Sequence, residues 1–324
     1  MEISRVSRGK GAMAGLAIGD ALGRPVEGLS ADEIRKNYGS ISDFVNKTPG
    51  GSDDTEYAIL TGLALKKYGR AITAKHFASV WLENVCSQSE EFIGAGFSES
   101  SAIANLRSGL QPPQSGMHIH SWSDGLAMRV APIGILCAGD VEASRRIAIA
   151  DGQVSHAGEG IHSGVAIAVA ISVAMDGKNY REAFEAARDS VPVNSWTYRN
   201  IQEVSAILES SKDEAVHTIA DKLLERIATH DYSFADLAPE AASFALAALL
   251  YGQGDFVRTL LFAVNLGRDA DTIAAMAGAM AGTIVGYEAI PDHWRVSVNE
   301  VKGTCLAFTR GMNPVKLGAE LAIR

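Results

Sequence analysis

The 324-residue sequence predicts an all-α protein. Three observations carry that expectation. Apolar side chains recur at helical spacing along nearly the whole chain, the pattern of one buried helix face. Strict alternation long enough for a strand is hard to find. Helix starts are well marked: Ser30 precedes Glu33 in front of "EIRKNY", and Asn179 precedes Glu182 in "YREAFEAARD", both with capping-box spacing.

Taken in order, "GAMAGLAIG" from Gly11 reads as a first helix, being too short and Gly-rich for a leader and interrupted by Asp20. Periodicity then places helices near 54–68, 75–86, 124–138, 160–176, 199–210, 213–229, 236–250, 254–264, 271–286 and 315–323. Small residues at close spacing, as in "AMAGAMAG", let helix backbones approach each other. The one long irregular stretch is 107–125, with Pro112 and Pro113, a length found in functional or disordered segments. No linker interrupts the pattern, and 47% hydrophobic residues suffice for one large core, so residues 1–324 are expected to form a single domain.

A net charge of -9 opposes binding to a phosphate backbone, and nucleic acid is excluded as a partner. Cys86, Cys137 and Cys305 are widely spaced, which fits neither a disulfide framework nor a zinc knuckle and points to reduced thiols. Apolar runs such as "GVAIAVAISVAM" fall short of the roughly 18 residues that suggest a membrane span. A soluble, cytoplasmic protein is expected, and no sequence signal specifies an oligomeric state.

The chemistry concentrates in two acidic turns. "GGSDDTEYAIL" carries Ser52, Asp53, Asp54 and Thr55, and "GRDADT" carries Asp269, Asp271 and Thr272, each at the start of an apolar-periodic helix. Asp, Ser and Thr are ordinary N-caps, and Asp53 with Glu56 has capping-box spacing. One carboxylate suffices for a cap, however, and adjacent carboxylates repel. If the two helix starts meet, four carboxylates and three hydroxyls form an all-oxygen set suited to two Mg²⁺ or Mn²⁺ ions and poor for zinc. Thr55 is read as a first-turn helix residue.

The order of "GAMAGLAIGDALGRPVEG", "SDDTEYAIL", "GLAMRVAPIGIL", "SHAGEGIHSGVAIAVAISVA" and "GRDADTIAAMAGAMAGTIVG" resembles that of the ADP-ribosylglycohydrolases, over about residues 10 to 290. The resemblance implies a compact, orthogonal all-helical hydrolase with two Mg²⁺ or Mn²⁺ ions. It would cleave the bond at the anomeric carbon of a terminal ribose, in an ADP-ribosyl or other ribosyl substrate. It places metal ligands at Ser52, Asp53, Asp54, Asp269, Asp271 and Thr272. Glu27, in "GRPVEG", matches a glutamate near the reacting ribose, as general base or as the residue that gates the site. Asp20 matches an acidic position that orders the turn. Bond cleavage through an oxocarbenium-like state needs a positioned water and a proton acceptor, for which Glu27, Asp54 and Asp269 are the catalytic candidates.

"SDGLAMRVAPIG" matches a stretch that runs along the diphosphate and ribose. Asp124 stands where asparagine is usual, although Gly125 and neighbouring amides could cradle an anion. Arg268 replaces a glycine beside the metal turn, either neutralising phosphate, filling space the usual substrate needs, or pointing outward. His156, in "VSHAGEGIH" with Ser155 and His162, matches a histidine near the substrate pocket. Substrate contacts are thus assigned to Asp124, Gly125, His156 and Arg268, and Arg129 to a structural ion pair. His118 and His120 form H-x-H without two further zinc ligands, and Trp122 either stacks on a base or anchors its loop. Asp124 and Arg268 favour an alternative substrate, a nucleoside or ribosylated metabolite. A non-catalytic ADP-ribose-binding or structural role is a further alternative, against which the intact acidic turns argue.

Overall fold

The computed structural model describes residues 3–324. They form α-helices and short 3-10 turns, and the extended pairing among them is confined to two isolated bridges, Ser30 with Gly267 and Ser123 with Leu237. No helix among the described residues is long and apolar enough to cross a membrane.

Three helices rich in small residues build the centre. The helix Arg5–Gly23 packs against Ala270–Val285, and Pro314–Ala322 packs against its first turns. The contact is backbone on backbone: a Cβ on Gly11 or Gly15 would overlap the carbonyl oxygen of Gly282 or Gly278, and the reverse holds for both partners. Because 11 faces 282 and 19 faces 274, the two helices run antiparallel. The end of the first helix, with Asp20, therefore lies beside the start of the second, with Asp271. Glu159–Met175 and Ala238–Gly252 are buried on nearly every side and pack onto this centre, as expected of helices apolar all round.

The capping boxes at Ser30 and Asn179 form as the spacing predicts. That of Asp53 and Glu56 does not: Ser52 is the N-cap, and the Glu56 carboxylate accepts the N–H groups of Thr304 (2.8 Å), Cys305 (3.0 Å) and Leu306 (2.6 Å). The expected helix over 124–138 is broken at Val130 into a 3-10 turn, Asp124–Arg129, and an α-helix, Ala131–Cys137. Pro132, with no N–H to donate, starts a helix far more easily than it continues one. Phe97–Arg107 and Val141–Ser155 are helices the periodicity did not single out. The first is Ser-rich and starts without a side-chain cap, so its sequence resembles a loop. Within 107–125 the only regular piece before Asp124 is the 3-10 turn Gln114–Gly116, and Pro112–Pro113 is cis.

Candidate metal centre

The helix Asp53–Tyr68 begins on a turn built around Asp20. Its carboxylate accepts the Ser52 N–H (2.7 Å), the Ser52 hydroxyl (2.8 Å), the Thr55 N–H (3.2 Å) and the Thr55 hydroxyl. Gly51 is required there, since a Cβ would stand 2.6 Å from Asp20 Oδ2. Asp20 and Thr55 thus shape the turn, as the sequence suggests, and the turn points Asp53 and Asp54 at one cavity of about 560 Å³. Asp54 is buried, its Oδ2 3.1 Å from the Ser52 hydroxyl and its Oδ1 without a partner.

The second acidic turn faces the first. Gly267 and Arg268 both have left-handed backbone, with φ of 70° and 62°. Position 267 must be glycine: a Cβ there would overlap the Leu29 carbonyl oxygen. The turn is clamped to the segment carrying Glu27 by the Gly28 N–H on the Arg268 carbonyl and the Arg268 N–H on that of Leu29, both 2.8 Å. Asp269 caps the helix Ala270–Val285 by position only, since its side chain makes no capping bond. Asp271 is buried and its Oδ1, like that of Asp54, has no partner.

Two carboxylate groups result. Oxygens of Asp20, Asp54 and Asp271 lie within 4.8 Å of one another, and so do those of Glu27, Asp269 and Asp271. Asp271 belongs to both. Burial, and then the neighbouring carboxylates, push Asp54 and Asp271 well above the ordinary carboxylate range. Glu27, exposed at the rim, is raised by partial desolvation and by Asp269. Buried, orphaned, mutually repelling oxygens are what a hard cation satisfies. Thr272 and Asp53 also line the cavity, although Asp53 belongs to neither close group.

The opposite wall holds Asp124 and Gly125. The Asp124 N–H donates to the Asp236 carbonyl (3.0 Å) and the Ala238 N–H to that of Trp122 (3.1 Å), tying the wall to the start of the helix Ala238–Gly252. Asp124 is buried, its Oδ2 has no partner, and burial with Asp269 and Asp236 nearby raises it well above its ordinary value. Behind Gly125 sits Glu99, so close that a Cβ on the glycine would collide with its carboxylate. Arg129, fully buried, pairs with Glu99 (3.3 Å) and Asp151 (3.0 Å), the structural role its sequence context suggests. His156 lies behind the wall rather than on it, 1% exposed, with Nε2 3.2 Å from the Ser123 hydroxyl and Nδ1 2.8 Å from that of Ser155.

Arg268 neither points into solvent nor reaches free into the cavity. Its guanidinium holds the buried Glu240 carboxylate in two places, Nε at 2.6 Å and Nη2 at 3.2 Å. His118 and His120 diverge, one ring against the Ser155 carbonyl (2.9 Å) and the other stacked on Phe97 (4.8 Å). Trp122 meets Tyr232 edge to face at 4.9 Å. Glu99, Asp236 and the rim aromatics Phe97 and Phe234 line the cavity without having been singled out in the sequence. For Glu99 a signal existed: a buried arginine in "GLAMRV" demands carboxylates, and only distance in sequence hid which.

An all-helical body gathers buried, unsatisfied carboxylates from two helix starts at one cavity, the architecture of an acidic centre. Residues 1–314 match the family described as ADP-ribosylglycohydrolase. The chain belongs to that family, whose members are glycosidic hydrolases. An uncharacterised protein of Archaeoglobus fulgidus is 33% identical over 288 residues, 86% of this chain and 88% of that one. ADP-ribosylhydrolase ARH3 of Homo sapiens is 24% identical, covering 90% of this chain and 89% of its own. ADP-ribosylarginine hydrolase Tri1 of Pseudomonas putida is 25% identical, covering 89% and 73%. A solved structure, an ADP-ribosylglycohydrolase-related protein complex, shares the fold with a TM-score of 0.68 at 23% identity over 98% of both chains.

Proposed function

We propose that this single domain, residues 1–324, is a metal-dependent hydrolase that cleaves the glycosidic bond at the anomeric carbon of a terminal ribose in ADP-ribosylated proteins or small molecules. The observation that carries this reading is Asp271, a buried carboxylate with an orphaned oxygen common to both close acidic groups. Asp54 and Asp271 would hold one Mg²⁺ or Mn²⁺ ion, and Asp269, Asp271 and Glu27 would face a second. Ser52, Thr272 and Asp53 complete the oxygen set. Such ions, when bound, supply positive charge for ribose hydroxyls and acidify water.

The chain's own residues do the rest. Water oxygen replaces the leaving atom on the anomeric carbon; one water proton passes to a carboxylate oxygen, and one proton reaches the leaving atom. Glu27, raised by partial desolvation and then by Asp269 and standing at the rim, takes and returns that proton. Asp54 and Asp269 orient the reacting ribose from the floor. Gly125 and Asp124 form the wall along which the rest of the substrate lies, and His156 positions that wall through Ser123. Arg268 contributes through Glu240, fixing the acidic turn against the helix Ala238–Gly252. Three unpaired thiols suit a reducing, cytoplasmic setting.

A second substrate reading rests on Asp124. Its buried, unpartnered Oδ2 would accept a hydrogen bond from a hydroxyl, and once ionised the carboxylate would repel a phosphate, which favours a nucleoside or ribosylated metabolite. One assay separates the two: hydrolysis of ADP-ribosylarginine, ADP-ribosylserine peptide and unphosphorylated ribosides, with Mg²⁺ or Mn²⁺ and after chelation. ADP-ribosyl cleavage abolished by chelator is the expected result. At a pH where Asp124 is ionised, Asp124→Asn should raise kcat/KM on the ADP-ribosyl substrates by about tenfold, the effect of removing one charge at the wall. Turnover of ribosides alone would establish the second reading, and chelator-resistant turnover would refute the metal assignment.

A further inference from the structure

A second cavity, of about 460 Å³, shares no lining residue with the first and has the opposite charge. It opens where Tyr180–Asp189, Trp196–Ser210, Val216–Ile227, Ala238–Gly252 and Phe256–Asn265 meet. Arg181, Lys212 and Arg258 surround it, against a single acid, Glu209, which stands 3.4 Å from Lys212. On a chain with a net charge of -9, such a concentration of cations calls for a reason.

The two arginines are held by aromatic rings rather than by carboxylates. Arg188, Arg226 and Arg268 each pair with a carboxylate. Arg258 instead lies 4.3 Å over the ring of Tyr251, which is stacked in turn on Phe262 at 4.1 Å. Arg181 lies 5.3 Å over the ring of Tyr180 and donates its Nε hydrogen to the same residue's hydroxyl (3.1 Å). Stacking fixes the plane of a guanidinium while leaving its outer N–H groups free for an acceptor. Gln253, in left-handed backbone at φ 52°, closes the helix Ala238–Gly252 and lets the next one start at Phe256, which returns Arg258 over Tyr251.

We propose that this cavity binds a phosphorylated small molecule, its phosphoryl oxygens held by the forks of Arg181 and Arg258 and by the Lys212 ammonium. A lone carboxylate fills one fork, whereas two linked phosphoryl groups present oxygens to both forks and to the lysine. Three cations less one acid match a dianion. The apolar side chains of Leu208 and Leu250 line the same cavity and suit an organic remainder.

Inorganic pyrophosphate tests this by calorimetric titration of metal-free, full-length protein at low salt. One equivalent should bind to wild type and equally to Asp271→Asn, which alters only the acidic cavity. Arg181→Ser with Arg258→Ser should weaken binding by about tenfold per guanidinium, and Lys212→Gln alone by less, with circular dichroism unchanged. All three positions are exposed, so folding is not at stake. No binding by wild type, unaltered binding by the folded double variant, or loss of binding in Asp271→Asn would each overturn the assignment.

Discussion

Asp271→Asn should leave the protein folded and remove its metal centre, lowering ribosyl-bond hydrolysis by at least about 10³-fold at saturating metal. The argument is geometric: Asp271 belongs to both close groups of carboxylates, so its loss depletes both at once, whereas Asp53 belongs to neither. The same substitution should stabilise the metal-free protein. Asp271 and Asp54 are raised well above 3.8 by burial and by each other, so the folded state binds protons there that the unfolded chain has released. Their stability contribution is complete below 3.8 and is lost as pH rises through the folded values. Metal-free wild type should therefore lose Tm relative to Asp271→Asn as pH rises from about 4 towards neutrality, a difference that saturating Mn²⁺ reverses. Parallel Tm curves for the two proteins would show that the carboxylates do not repel as the geometry requires.

Gly278→Ala is the second large expectation, and its sign is the informative part. In an exposed helix this change gains about 1 kcal/mol. Here the added Cβ overlaps the Gly15 carbonyl oxygen, which belongs to backbone and cannot swing aside. Overpacking against a fixed neighbour costs about 3 kcal/mol or more, and the larger Gly278→Leu should not fold. Denaturant midpoints measure the first and expression of soluble protein the second. Because the two helices carry Asp20 and Asp271, the alanine variant should also bind metal more weakly, by separating the two turns. A stability equal to wild type would mean the helices are not in backbone contact.

The sequence was most informative where composition exceeded any local need. Two acidic turns held more carboxylate than helix caps use, and a small-residue helix had no reason to be so small unless another backbone lay against it. Gly15 and Gly278 lie 263 residues apart in sequence, yet the two helices carry matching small residues at the contact. What stayed hidden were pairings set by tertiary approach. Arg268 looked either outward or toward substrate, because nothing in "GRDADT" reveals that Glu240, on another helix, is buried and pairs with no other cation among the described residues. Glu99 lay in a segment without strong periodicity, and Asp236 just ahead of a helix start, so neither stood out from ordinary polar residues. The expected helix over 124–138 overran its true start because periodicity continued across Val130 while Pro132 did not allow the backbone to follow.

The central claim is that the two acidic turns form one shared metal centre through Asp271. Calorimetric titration of metal-free wild type and Asp271→Asn with Mn²⁺ and with Mg²⁺, with and without ADP-ribose, tests it most directly. The account predicts two equivalents bound by wild type, tightened by ADP-ribose, and neither retained at comparable affinity by Asp271→Asn. Metal binding by Asp271→Asn indistinguishable from wild type, or none by wild type, would contradict it and leave the acidic turns as helix starts alone.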